Sequence, residues 1–582
     1  MIWRWIFCVA LMCLFAGCSD DGSGITDAGG DAWDAGGDGD AVHDYDHDCD
    51  DGGDGGEGVE EIKWTACFLY PDSSSQKLAE CAMIEVPLRH DEPDGPKIEI
   101  WVQRLLGTAA QKRGQIWFLE GGPGGSGADF ASFFDYFSAV APGWDLYTLD
   151  HRGVGFSERL GCPVQEAFGS EAGFSISSGE WPDCLQHLQD TWGSDLAEFT
   201  TTAAAADLGM IIERVREPDK DVHVFGVSYG TYWAIRYLQL HPDQATGVIL
   251  DSIAPPGISL YDFDVFMNDI GEDFIEYCQN DALCASKLGA DPWSAIGRVF
   301  SDVEAGSCPD ITALLGAGSE RFYMRLILGT LLKNILLRSY APAAVYRIDR
   351  CDPEDVAALE RLFTAMFSPP GGPSAYDRLG STCLSYNVGL SELREDPPPD
   401  PADVAAMEVP LYFSTNVGPQ MRALQDAWPL YPQDQYVYNW PDTQIPVLMM
   451  NGDLDPQTPP WVAAPAESHF TGTHHYYYVF PRCAHGLLGQ SPVQTPGAQQ
   501  CGVQMLLDFV DDPLTAPDTA CLDDILPLTF TGDPVYSQWL FGTDDMWENG
   551  TRRRAPVTAK KPPGFDRAVR RLRGIPPPKF LR

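Results

Sequence analysis

Basic residues are scarce in this 582-residue chain: 38 Lys and Arg stand against 84 Asp and Glu, for a formal net charge of −46. Eleven of those basic residues fall in residues 550–582 beside a single acid, so the rest of the chain is more acidic than the total implies. A surface of that sign repels phosphate backbones, which excludes nucleic acid as a partner of the body of the protein. Long apolar runs are also lacking. Beyond the N-terminal segment, no stretch approaches the roughly 20 apolar residues that a membrane-crossing helix needs. No C-x-x-C pair or Cys/His cluster has zinc-site spacing, and no cofactor or catalytic metal is indicated.

What is present begins with a targeting segment. Arg4 precedes a short apolar core, Ile6 to Phe15, too short to span a bilayer as a stable anchor. It ends in Leu14-Phe15-Ala16-Gly17-Cys18, which resembles a bacterial lipoprotein signal, although that family usually has leucine at the place of Phe15. Residues 1–17 are therefore read as a signal peptide, with Cys18 as the lipidated residue that ties the protein to a membrane. An ordinary secretory signal is the alternative. Either implies export to the cell envelope, as periplasmic or surface protein. Residues 18–60 are dominated by Asp and Gly; they cannot bury enough apolar surface to offset ordering entropy and are expected to form a disordered tether. Asp44 to Asp54 looks like a calcium loop but lacks the glycine and closing glutamate of an EF-hand, so it reads as a solvated spacer. Setting aside Cys8, Cys13, Cys18 and Cys49, twelve cysteines remain, an even number that suits disulfides in an exported protein. Proximity suggests Cys67–Cys81, Cys162–Cys184, Cys278–Cys284 and Cys501–Cys521, but connectivity does not follow from sequence.

From about Ile62 strand-like and helix-like segments alternate. Met83 to Leu88 and Ile98 to Leu105 read as paired strands. Gln115 to Leu119, Trp144 to Asp150, Val222 to Phe225, Val248 to Ser252, Ile445 to Met450 and His475 to Phe480 are short apolar runs, and residues 200–215 are helical. The alternation predicts an α/β fold, a mostly parallel, doubly wound sheet with helices on both faces. Residues 256–435 break the rhythm with helix-like, aromatic pieces. They are read as a largely helical cap inserted between the core halves 61–255 and 436–545, with 546–582 a flexible, basic, Pro-rich tail.

Three motifs carry chemistry. Gly226-Val227-Ser228-Tyr229-Gly230 lies between a strand-like and a helix-like run. A turn that tight leaves the serine strained with its hydroxyl exposed, and the flanking glycines remove side chains that would clash. The Tyr229 N–H then points where an oxyanion would form. A serine needs a base, and the base needs a carboxylate to set its tautomer. His485, in Arg482-Cys483-Ala484-His485-Gly486, is the base expected; His469, His474 and His475 precede or lie within a strand. The acid lies in Asn451-Gly452-Asp453-Leu454-Asp455-Pro456, where local chemistry leaves Asp453 and Asp455 nearly tied. The third motif, Glu120-Gly121-Gly122-Pro123-Gly124-Gly125-Ser126-Gly127, could bring backbone N–H groups to a substrate carbonyl. It lacks the lysine of a phosphate-binding loop and the acidic partner of a dinucleotide fingerprint.

Together with Asp150-His151-Arg152-Gly153-Val154-Gly155-Phe156-Ser157, these motifs resemble the prolyl/tripeptidyl aminopeptidase branch of the α/β-hydrolases, in an exported lipoprotein form. The likeness covers roughly residues 62–525, with the cap poorly matched. It implies a catalytic triad of Ser228, Asp455 and His485, an oxyanion hole from Tyr229 with Gly121 and Gly122, and bracing roles for Asp150 and Arg152. Glu120 departs from the histidine of the short proline-iminopeptidase members. The implied activity is an aminopeptidase releasing proline- or alanine-type residues or tripeptides from peptide substrates with a free N-terminus. Its amine pocket would need carboxylates, for which Asp262, Asp264, Asp269, Glu272 and Asp273 are candidates. A carboxylesterase or lipase using the same triad is the alternative, and a non-catalytic surface-binding protein a third reading that the intact motifs disfavour.

Overall fold

The computed structural model describes residues 61–72, 75–167, 169–171, 175–367 and 378–550. The signal peptide, Cys18, the whole tether and residues 551–582 of the tail lie outside the described residues. Among the described residues no helix is long and apolar enough to cross a membrane.

Among the described residues nine strands form one sheet: β1 (Thr65–Phe68), β2 (Leu78–Pro87), β3 (Lys97–Leu105), β4 (Gly114–Leu119), β5 (Trp144–Leu149), β6 (Asp221–Val227), β7 (Gly247–Asp251), β8 (Val447–Gly452) and β9 (His475–Phe480). Their spatial order is β1-β2-β3-β5-β4-β6-β7-β8-β9. β1, β2, β3 and β5 pair antiparallel, and β5-β4-β6-β7-β8-β9 run parallel. The central strands β4, β5, β7 and β8 are buried along their whole length, as expected where helices cover both faces. Alternation sorts each strand between two cores. Trp117, Leu119, Val224, Leu250 and Met449 face one, packed on helices Thr201–Val215 and Tyr229–Leu240. Ile116, Phe118, Phe225, Ile249 and Leu448 face the other, on helices Ala131–Val140 and Cys501–Asp511.

Between β7 and β8 the described chain contains only helices and loops, from Phe263–Asn280 to Val417–Gln425. Many of these helices pack around their own core, which includes Met267, Phe274, Phe300, Leu328 and Val345. That core also takes in Phe530, Tyr536, Leu540, Phe541, Met546 and Trp547. The segment following Ile525 therefore returns to the cap, which differs from the sequence reading of residues 436–545 as the second half of the core and of 546 as the start of a flexible tail. Met546 and Trp547 are buried, and Arg347 donates to the backbone oxygens of Met546, Asp545 and Glu548. This packing was not legible in the sequence because the aromatic and apolar residues concerned stand next to a basic, proline-rich stretch.

The four disulfides suggested by proximity are formed, and a fifth joins Cys308 to Cys351 across 43 residues. Cys383 and Cys483 are buried free thiols. Cys383 Sγ lies 3.8 Å and 3.7 Å from the sulfurs of Cys162 and Cys184.

His223, inside β6, is buried between Trp144 and Phe509. Burial pushes its imidazole down to about 3, helped by Arg113. A base with a depressed folded value is neutral in the fold but protonates in the unfolded chain below about pH 6.5, so its contribution to stability shrinks as pH falls. Relative to His223→Leu, the natural protein should lose about 2 kcal/mol of stability between pH 7 and pH 5. Denaturant titrations of both proteins at the two pH values test this; a constant difference would contradict it.

Candidate active site

Ser228 closes β6 and opens the helix Tyr229–Leu240, with φ 57° and ψ −127°. Strain of this kind persists only where the surroundings over-determine the backbone. Here the Ser228 N–H donates to Asp251 O at 3.0 Å, and its carbonyl accepts from the Thr231 N–H at 2.8 Å and Thr231 Oγ1 at 2.6 Å. Alone among residues 222–238, Ser228 is not buried. The turn depends on its glycines. A Cβ on Gly226 would lie 2.2 Å from Gly230 O, and one on Gly230 2.2 Å from Leu119 O. Both collisions are with backbone, so Gly230→Ala is expected to destabilise the protein by about 3 kcal/mol or more, beyond an ordinary overpacking cost. Thermal unfolding checks this; an unchanged melting temperature would contradict it.

The expected base and acid, His485 and Asp455, lie on the loops after β9 and β8. His485 Nδ1 lies 2.9 Å from both carboxylate oxygens of Asp455. That contact calls for the tautomer with hydrogen on Nδ1, leaving the Nε2 lone pair for a proton. Asp455 is fully buried, and its charge is met by the N–H groups of Gln457 and Thr458 at 2.9 and 3.1 Å and by Thr458 Oγ1 at 2.9 Å. Asp453, two residues earlier, points elsewhere: burial pushes its carboxyl up to about 6, against the Arg482 and Cys483 backbone. His474 and His475 lie at the opposite end of β9, where His475 contacts Ile445 O and Gly472 N–H, and His469 stacks on Trp440. The structure thus pairs His485 with Asp455 and leaves the other candidates apart.

Asp251 and Ser252, which the sequence showed only as the end of an apolar strand, tie the Ser228 turn to the loop of His485. The carbonyl of Asp251 holds Ser228, while its carboxylate accepts the N–H groups of Leu487 and Leu488 at 2.9 and 3.2 Å. Ser252 Oγ accepts the Gly486 N–H at 2.7 Å. Three successive N–H groups after His485 are thus anchored to the strand beside Ser228. Burial pushes the Asp251 carboxyl up to about 6 in spite of these donors. The cap holds the same loop: Gln490 Nε2 donates to His485 O and to Lys333 O, and its Oε1 accepts the Ile335 N–H. An acid at the C-terminal end of a parallel strand was the signal available for Asp251.

The glycine-rich loop follows β4 and runs beside Ser228. A Cβ on Gly121 would lie 2.9 Å from Ser228 Cβ, so only glycine permits that approach. The Gly121 N–H donates to the Glu120 carboxyl oxygen Oε1 at 3.0 Å. Gly121, expected with Gly122 as an oxyanion donor, thus already has an acceptor for its N–H inside the chain; Gly122 follows at φ 121°. Tyr229 N–H, first in its helix, has no intrahelical acceptor. Tyr229 is further fixed through its hydroxyl, 2.8 Å from Thr201 Oγ1 and 3.2 Å from His151 Nε2.

Asp150 and Arg152 brace the surroundings. Asp150 accepts from Ser126 Oγ, Gly127 N–H and Phe156 N–H at 2.6, 2.9 and 2.8 Å, although burial lifts its carboxyl to about 6. Arg152, fully buried, spans Asp207 and the backbone oxygens of Pro87, Leu88 and Glu198. Of the carboxylates weighed for an amine pocket, Asp264 is committed elsewhere: it is buried and accepts from Ser414 Oγ, Thr415 N–H and Gly418 N–H. Asp262, Asp269, Glu272 and Asp273 have no ion-pair partner among the described residues, and burial raises each of them, with neighbouring acids adding to the effect for Asp262, Glu272 and Asp273.

A parallel sheet with a strained serine after β6, an acid after β8 and a histidine after β9 is the arrangement of the alpha/beta hydrolase fold. This chain carries that fold, and the family profile of that description matches residues 116–275. Among curated proteins it is similar to a tripeptidyl aminopeptidase of Streptomyces lividans, 31% identical over 211 residues, covering 34% of this chain and 38% of the relative. It is similar to the serine protease Hip1 of Mycobacterium tuberculosis (strain ATCC 25618 / H37Rv), 28% identical over 269 residues, 43% of this chain and 51% of that protein. A carboxylesterase B of the same strain is 29% identical over 170 residues, 25% of this chain and 31% of the relative. The chain spans about half the length of these relatives, or less.

Proposed function

We propose that this protein is an exported serine hydrolase that cleaves peptides from a free N-terminus through an acyl-enzyme. The observation that carries the reading is the partly exposed, positive-φ Ser228, held through Asp251 to the loop on which Asp455 orients His485. Ser228 Oγ attacks the scissile carbonyl as His485 Nε2 takes its proton; His485 then protonates the leaving amine, and water releases the acyl group by the same route. Asp455 stabilises the imidazolium, and the N–H groups of Tyr229 and Gly122 receive the oxyanion. The similarity to a tripeptidyl aminopeptidase and to the serine protease Hip1 supports peptides as substrates. Five disulfides support an oxidising compartment, in keeping with export and a lipid anchor at Cys18.

A second reading, ester hydrolysis, is favoured by the similarity to carboxylesterase B. The test offers the protein a free-amine tripeptidyl fluorogenic amide, its N-acetylated twin, proline and alanine amides, and a short-chain ester. Cleavage of free-amine amides with the acetylated twin spared is the expected result. Ester turnover without any amide cleavage would replace the peptidase reading with the esterase one.

A further inference from the structure

Glu120 is an acid placed one residue from the site where negative charge would develop, and the triad makes no use of it. It is 4% exposed. Its side chain folds back beneath the glycine loop, so that a Cβ on Gly125 would come within 2.8 Å of Glu120 Cγ. Oε1 accepts the Gly121 N–H at 3.0 Å, while Oε2 is buried with no hydrogen-bond partner among the described residues. A buried carboxylate beside a developing oxyanion would oppose it, whereas a buried neutral carboxyl would not. Burial, together with the charge of Asp129, raises the Glu120 carboxyl well above the usual range, despite the Gly121 N–H.

The rest of the loop is clamped from the sides. The Gly125 N–H returns to Gly121 O at 3.1 Å, and the Ser381 N–H of the cap donates to Gly124 O at 2.9 Å. Ser385 Oγ donates to Pro123 O, and Asp150 takes the Gly127 N–H at the far end. Within that frame the bond from the Gly121 N–H to Glu120 fixes how the start of the loop is turned; without it the peptide is free to rotate and the following Gly122 amide loses its set direction.

We propose that Glu120 is the positioning residue of the oxyanion hole: by taking the Gly121 N–H on its own carboxyl, it assigns the second oxyanion donor to Gly122. This rests on the serine acyl-transfer reading of the site. A neutral acceptor at position 120 should suffice, so glutamine should replace glutamate and an isosteric apolar side chain should not.

The experiment compares Glu120→Gln and Glu120→Met in the whole protein on the best amide or ester found above. Glu120→Gln is expected to keep kcat within about threefold, and Glu120→Met to lose about 10²-fold or more in kcat, the scale of one oxyanion donor, with KM and melting temperature little changed. Wild-type kcat in Glu120→Met, or equal losses in both variants, would overturn the proposal. Should Glu120→Met not fold, the alkaline limb decides. The ionisable groups around the loop are Glu120, Asp129 behind it and Asp150 at its far end. As Glu120 ionises with rising pH its charge opposes the oxyanion and kcat declines; Glu120→Gln should lose that decline, and an unchanged profile would overturn the assignment. Failure of the underlying reading looks different, since Ser228→Ala would then retain turnover whatever stands at position 120.

Discussion

Ser228→Ala is expected to abolish turnover, a fall of roughly 10⁶-fold in kcat, with the melting temperature nearly unchanged. Both halves have a structural reason. Alanine removes the only atom at this position able to form the acyl bond, and a base without its nucleophile leaves just the weak catalysis of the oxyanion donors and of binding. The fold loses little. Alanine carries the same Cβ at φ 57° as serine, so backbone strain is common to both, and the holding bonds run through the Ser228 backbone to Asp251 and Thr231. Single-turnover assays on the substrate panel, with thermal unfolding of both proteins, make the check. Hydrolysis by the variant at even a hundredth of the natural rate would remove Ser228 from the mechanism.

The second large effect concerns the acid. Asp455→Asn should reduce kcat by about 10⁴-fold with a smaller change in KM. Asparagine can still accept the Gln457 and Thr458 N–H groups, so the turn survives. Its amide nitrogen, however, cannot accept from His485 Nδ1. The imidazole is driven toward the tautomer with hydrogen on Nε2, where it cannot take the serine proton. Asp453→Asn is the matched control: Asp453 faces the Arg482–Cys483 backbone and not His485, so its kcat should stay within a few-fold of the natural value. Equal losses in the two variants would show that the acid was assigned to the wrong residue.

The two predictions differ in how much of them was legible before folding. Ser228 announced itself through local chemistry: two glycines flank it between a β-branched run and an amphipathic helix, and the steric need for those glycines is set within five residues. His485 was nearly as plain, a histidine before glycine just beyond a strand. The choice of Asp455 over Asp453 was not. Both could cap the same turn, and what separates them is the path of the chain after β8, which turns one carboxylate onto an imidazole 30 residues away and the other onto backbone.

By itself the sequence determined the order and type of most strands, the break at the helical insertion, the tight turn that carries Ser228 and the post-strand loop that carries His485, because periodicity, turn chemistry and glycine sterics act over a few neighbouring residues. Only the tertiary structure decided what depends on distant segments meeting. It brought residues 526–549 back to the cap, where Trp547 and Phe530 share a core with helices some 200 residues earlier. It set the Asp251 carboxyl group against the N–H groups of Leu487 and Leu488, and it turned Glu120 onto the Gly121 N–H. A carboxyl group's role follows from which hydrogen-bond donors it meets and how much water it loses, and both are properties of the packed molecule.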